Sequence, residues 1–235
     1  MTPDDLRVAG FLDARRALSF LEELPAGQSW VGDLSASADP DQALLQAVRL
    51  READPGLVDA LSRDECARRR GCAILGGSQW LGDYVIADPA RAAAINEDPG
   101  DPRNVLYEAV GARTVGRGVW VAAWEATADD LRAAYRRVLL HLAADDLTSG
   151  TPEDAMPSVG ARIADLVDAT LDAGLALARR DVDPEGSVPF AIIAMGKTGA
   201  RELNYISDVD VIYVAEAGED GDERSALEKA TRLAS

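Results

Sequence analysis

The segment from Phe190 to Val214 constrains this chain more than any other. It reads Phe190-Ala-Ile-Ile-Ala-Met-Gly-Lys-Thr-Gly-Ala-Arg-Glu-Leu-Asn-Tyr-Ile-Ser-Asp-Val-Asp-Val-Ile-Tyr-Val214. An apolar, strand-like run (Phe190 to Met195) enters a loop containing Gly196 and Gly199, and returns as a second apolar run carrying Asp208 and Asp210. Strand side chains alternate faces, so residues two apart point the same way. The spacing therefore predicts both carboxylates on one face of a strand. At about 5 Å they repel by roughly 3 kcal/mol at an effective dielectric near ~20. A structural sheet gains nothing from that repulsion, whereas a divalent cation is held by it. The competing reading is an exposed acidic pair on an edge strand.

The pattern of helix, strand, glycine-bearing loop and Asp-x-Asp suits nucleotidyl transfer. Backbone approaches a phosphate closely only where side chains are small, a use for Gly196 and Gly199. Asp208 and Asp210 are the expected Mg²⁺ ligands, the metal bridging phosphate oxygens and offsetting their charge. Lys197 and Arg201 are candidate sources of further positive charge, and Ser207 of a hydroxyl to phosphate.

Composition excludes several alternatives. A chain of 235 residues with 47% hydrophobic and 28% charged residues is long enough for a real core and is not disordered. Abundant alanine and only 5% aromatics favour helices over a β-sandwich. A net charge of −17 repels nucleic acid and anionic membranes but tolerates a nucleotide held through a metal. Cys66 and Cys72 form neither a disulfide framework nor a zinc motif. Met1-Thr-Pro-Asp-Asp does not start a signal peptide, and no apolar run approaches the ~20 residues of a membrane span. A cytoplasmic location is expected.

Before the motif the chain reads as helix after helix. Thr2 and Pro3 open a helix expected to reach Leu24, with Leu6, Ala9, Leu12, Ala17, Leu18 and Leu21 on one face. Residues 28–38 read as a loop in which Trp30 is a core anchor. Asp-Pro recurs at residues 39, 54, 88, 98 and 101 as helix-start punctuation, with short helices expected near 40–53, 55–61, 63–71, 78–87, 89–96 and 102–111. Ser62 and Glu65 suggest a capping box. Arg68-Arg-Arg70 reads as a solvated basic face. Residues 115–124 suit an extended connector or short strand, and Thr127 caps a helix running to Leu147. His141, the only histidine, lacks neighbours at ligand spacing and reads as structural or surface. Thr148-Ser-Gly-Thr-Pro152 is the expected boundary between a helical domain (1–150) and a second domain (151–235) that opens with a helix over 158–180. Residues 216–223 read as an acidic loop. The fold class is thus mostly α with a small α+β part.

Met195-Gly-Lys, followed after ten residues by Asp208-Val-Asp210-Val, resembles the signature of the DNA polymerase β-like nucleotidyltransferase superfamily. More closely, Gly196 through Asp210 resembles the glutamine synthetase adenylyltransferase family, which reads near GKLGGRELNYGSDVDLIF here. Thr198, Ala200 and Ile206 stand where that family has Leu, Gly and Gly. Leu131-Arg-Ala-Ala-Tyr-Arg-Arg through Thr148 also resembles the family's helix before its first catalytic domain, and Ser78-Gln-Trp-Leu-Gly-Asp-Tyr with the helical N-terminal part is a weaker match. Members of the family carry two nucleotidyltransferase units. A motif that follows one helical region resembles the N-terminal, adenylyl-removing unit, so 151–235 is expected to be an incomplete domain of that kind. The resemblance implies a Mg²⁺-dependent phosphorolysis of AMP-tyrosine on adenylylated glutamine synthetase, with phosphate consumed and ADP released. It also implies a third carboxylate on a later strand, ATP or ADP as nucleotides, and a PII signal protein as a regulatory partner. On this reading the chain is a fragment, inactive alone. The rival readings are a PII-type uridylyltransferase, whose pattern places Pro close before the Ser-Asp pair where this chain has Asn204-Tyr-Ile206, and a catalytically inactive regulatory fragment.

Overall fold

The computed structural model describes residues 1–116, 118–217 and 222–235; half of the acidic loop expected at 216–223 therefore lies outside the described residues. Among the described residues the architecture is mostly α, with two small two-stranded antiparallel sheets. Among the described residues no helix is long and apolar enough to cross a membrane. The chain divides into two compact units, Met1–Asp98 with Leu140–Ala155, and Pro99–Leu139 with Met156–Ser235. The sequence boundary at residue 150 falls inside the first.

The first unit is built from short helices: α1 (Pro3–Val8), α2 (Ala14–Glu23), α3 (Val31–Ser35), α4 (Pro40–Ala53), α5 (Pro55–Arg63), α6 (Glu65–Gly77), α7 (Gln79–Ala87) and α8 (Ala93–Asn96). Asp-Pro works as expected at α4 and α5, where Asp39 accepts from Gln42 N (2.9 Å) and Asp54 from Leu57 N (3.0 Å) with Pro at the first turn. Asp88 instead pairs with Arg91 at 3.4 Å, and a 3₁₀ turn follows.

Four expectations are corrected in this unit. The single helix to Leu24 is broken at Gly10, whose φ of +96° no helix accommodates, so Leu12 is 92% exposed while Phe11 turns into the core. The expected loop at 28–38 contains a 3₁₀ turn and α3, although Trp30 is the core anchor foreseen, 1% exposed, with Nε1 donating to the Pro25 carbonyl and Ser62 Oγ. That contact uses Ser62, and Asp64 caps α6 instead. Within the Arg68–Arg70 run Arg69 is exposed as expected, but its neighbours are not on a solvated face: Arg68 pairs with Asp33 at 2.6 Å, and Arg70 bonds the Ile95 carbonyl and Asp145. Arg68 and Arg70 thus join helices, with their charges matched rather than exposed. His141 faces Asp145 at 3.5 Å, a structural setting.

The second unit contains α9 (Pro102–Ala109), the hairpin β1 (Arg113–Val115) and β2 (Val119–Val121), α11 (Pro152–Val182) from residue 156 onward, β3 (Phe190–Ala194), α12 (Gly196–Ala200), β4 (Val211–Ala215) and α13 (Glu223–Leu233). The helix between the hairpin and α11 is α10 (Ala128–Leu147); its first part belongs here and its last part to the first unit. Thr127 and Asp130 cap it reciprocally, as the sequence predicts for Thr127. Leu106, Val110, Leu131, Val138, Leu166, Ala169 and Ala173 form the core of the unit.

A buried polar hub turns the chain from α11 into β3. Asp183, 2% exposed, accepts from Arg179 Nη1 (2.7 Å), Ser187 N (2.9 Å), Ser187 Oγ (2.6 Å) and Val188 N (3.1 Å). Arg179 Nη2 also donates to the Val188 carbonyl at 3.1 Å. β3 then pairs antiparallel with β4, from Phe190 opposite Ala215 to Ala194 opposite Val211.

Candidate functional site

The connection between β3 and β4 holds every residue singled out from the motif. The strand pairing ends with Ala194 opposite Val211, so Asp208 and Asp210 lie just before β4 rather than within it. One further rung prolongs the ladder: Met195 N donates to the Asp210 carbonyl at 2.8 Å. The backbone of Asp210 is thereby tied to the end of β3.

The glycine loop is a single helical turn, α12. Gly196 opens it at φ +53°, a left-handed conformation that strains other residues, and a Cβ there would stand 3.2 Å from Asp210 Oδ2. Glycine thus lets the Asp210 carboxylate lie close to the start of the turn. At Gly199 a Cβ would come within 2.6 Å of the Ala194 carbonyl oxygen, so only glycine lets the turn fold back on the strand end. Arg201 closes α12 at φ +60°, and Glu202 N returns to the Lys197 carbonyl at 2.9 Å.

Asn204 and Ser207 form a self-contained turn that leads into the acids. Ser207 Oγ donates to Asn204 Oδ1 at 3.0 Å and accepts from Asn204 N at 3.2 Å, while Ile206 N donates to Asn204 Oδ1. Ile206 is 93% exposed, which carries its bulk into solvent. Asp208, Asp210 and Lys197 are exposed, and none of the three side chains has a hydrogen bond or ion pair among the described residues. The Arg201 side chain is engaged elsewhere: it pairs with Asp165 at 2.7 Å and reaches the Ala161 carbonyl at 3.4 Å, both on α11.

The donor set suits magnesium. Mg²⁺ is commonly held by one or two carboxylates while substrate phosphates and water complete its shell. Two exposed carboxylates with no competing cation fit that partial set. Among the described residues no group of three or more His, Cys, Asp or Glu gathers to hold a metal.

Thr198, in the middle of α12, is 2% exposed and its Oγ1 has no partner among the described residues. A buried, unsatisfied hydroxyl costs about 1–3 kcal/mol, and valine has nearly the same shape without it. Thr198→Val is expected to raise unfolding stability by about 1 kcal/mol in urea titration; a loss of stability would show that the hydroxyl is bonded in solution.

Sequence reasoning missed Gly160, Asp165, Arg179, Asp183 and Asn204. Two carried a signal. A glycine inside a helix costs about 1 kcal/mol and so points to a close approach, and Asn-x-x-Ser is turn chemistry.

A family model for glutamate-ammonia ligase adenylyltransferase matches residues 70–235. The chain belongs to that family. It is 39% identical to a bifunctional glutamine synthetase adenylyltransferase/adenylyl-removing enzyme of Leifsonia xyli over 252 aligned residues, covering 96% of this chain and 24% of that protein. Similarly named proteins of Streptomyces avermitilis (40% identity, 92% of this chain, 21% of that protein) and Cutibacterium acnes (38%, 87%, 22%) are also similar. The chain spans less than a quarter of the length of these relatives. No solved structure matches.

Proposed function

We propose that this chain carries part of the adenylyl-removing site of a glutamine synthetase adenylyltransferase/adenylyl-removing enzyme. The observation that carries the reading is the exposed, unpaired carboxylates of Asp208 and Asp210, the second of them beside Gly196, within the family match. When bound there, Mg²⁺ would supply charge neutralisation on the phosphoryl oxygens. The carboxylates of Asp208 and Asp210 would hold it. Gly196 and Gly199 keep side chains away from the phosphate path, Lys197 provides a free cation beside it, and the Ser207 turn orients the acids. In the reaction a phosphate oxygen forms a bond to the phosphorus of the AMP-tyrosine diester while the bond to the tyrosine oxygen breaks. ADP leaves, and the tyrosine oxygen takes a proton.

Adenylylated glutamine synthetase is accordingly the proposed protein substrate, with phosphate, ADP and ATP as small ligands and a PII-type signal protein as regulator. The reading is tested by incubating labelled adenylylated glutamine synthetase with phosphate, Mg²⁺ and a protein extending this chain to the length of its relatives. Phosphate-dependent release of labelled ADP is expected; release of AMP, or a preference for uridine nucleotides, would reject it. Because no third carboxylate joins the pair among the described residues, the 235-residue chain is expected to release no ADP alone.

A further inference from the structure

Arg201 stands in the motif where a phosphate ligand is expected, yet its guanidinium is turned onto α11. Three further contacts seat the same stretch there. A Cβ at Gly160 would stand 3.3 Å from the Leu203 carbonyl oxygen, 3.5 Å from the Arg201 carbonyl oxygen and 3.5 Å from Glu202 Cα, so residues 201–203 lie directly on the helix backbone. Leu203 is 4% exposed. The carboxylates of Asp165, Asp168 and Asp172 follow one another at helical spacing on α11. Arg201 meets the first and Arg103 the third, at 2.6 Å. Asp168, between them, has its carboxyl pushed upward by burial and by Asp165 and Asp172, while Arg201 and Arg103 pull it down. Moving Arg201 away to a phosphate would leave Asp165 without its ion pair and Asp168 with Arg103 as its remaining counter-charge.

We infer that Arg201 is a positioning residue, which with Gly160 and Asp165 docks the motif turn on α11 and so sets the acids, rather than a phosphate ligand. This rests on the reading of that turn as the catalytic one. The relay is short: Arg201 closes α12 through Thr198, Glu202 bonds back to Lys197, and α12 begins beside Asp210, whose carbonyl is held by Met195 N.

Amide hydrogen exchange on the 235-residue chain tests it, with an inorganic phosphate titration alongside. In Arg201→Gln the amides of Gly199, Glu202 and Met195 are expected to exchange about five-fold faster, as loss of a half-exposed ion pair allows. Asp165→Asn with Asp168→Asn is expected to match that factor, the triple variant to add nothing, and Arg201→Lys to recover most of the protection. Gly160→Val is expected to accelerate the same amides without touching any charge. The Met195 amide is the deciding reporter, because a purely local role at Arg201 leaves it unchanged. Unaltered exchange in Arg201→Gln, or effects that multiply in the triple variant, would overturn the inference. So would loss of phosphate binding in Arg201→Gln but not in the aspartate variant. If phosphate perturbs none of the turn's amides in the unsubstituted chain, the phosphate-site reading falls, while the exchange cycle still decides the role of Arg201.

Discussion

Replacing Asp208 and Asp210 together by Asn is expected to abolish divalent-cation binding and to lower turnover of the longer enzyme by a factor on the order of 10³, the equivalent of about 4 kcal/mol of charge stabilisation. The fold is expected to survive, because both side chains are exposed and make no hydrogen bond or ion pair among the described residues. Exposed substitutions of this kind stay within about 0.5 kcal/mol in stability. Asn keeps the shape of Asp beside Gly196, so the effect isolates charge from packing. Titration with Mn²⁺ followed by electron paramagnetic resonance reads the binding, and a thermal melt reads the fold. Retained turnover in the double variant would remove both residues from the mechanism.

The second large effect lies away from the chemistry. Asp183→Ala is expected to destabilise the chain by about 3–5 kcal/mol, since it leaves the charge of Arg179 buried without its partner. The Arg179 and Asp183 side chains are 4% and 2% exposed. Ser187 N and Val188 N lose their acceptor at the same time. Urea unfolding measures the loss, and a change below about 1 kcal/mol would show that water replaces the carboxylate. The pH dependence has a defined sign. Burial alone would raise the Asp183 carboxyl, but hydrogen bonds from Ser187 and Val188 and the charge of Arg179 outweigh it, holding it below the ordinary carboxylate range. The hub therefore stabilises fully above the unfolded carboxylate value of about 3.9, and its contribution is lost as pH falls towards the lowered folded value. Asp168 acts in the opposite sense: burial and its acidic neighbours raise it, so its protonation favours the folded chain as pH falls. Removing Asp183 is expected to flatten the acid limb of the stability profile.

Much of this was legible in the chain. Asp39, Asp54 and Asp101 cap helices because an acceptor and a proline at fixed offsets complete a first turn without distant partners. Gly196 and Gly199 could be singled out as positions that need small side chains, and the fold gives each a reason of its own, a left-handed backbone at Gly196 and the Ala194 carbonyl against Gly199. The break at Gly10 was not legible. A helical pattern runs through it, and what interrupts it is the burial of Phe11 against residues far along the chain. The arginine run at 68–70 looked like a solvated face because its carboxylate partners, Asp33 and Asp145, are distant in sequence.

The motif shows the same division. Local order alone determined which residues the connection between β3 and β4 carries: two acids, two glycines, a lysine and a serine. Strand register then decided that the acids stand just outside β4, since the pairing stops at Ala194 opposite Val211. Tertiary packing decided the partner of Arg201. Spacing can say that a guanidinium is near a phosphate path, but the carboxylate that claims it comes from a helix about forty residues earlier, and only the folded chain brings the two within 2.7 Å.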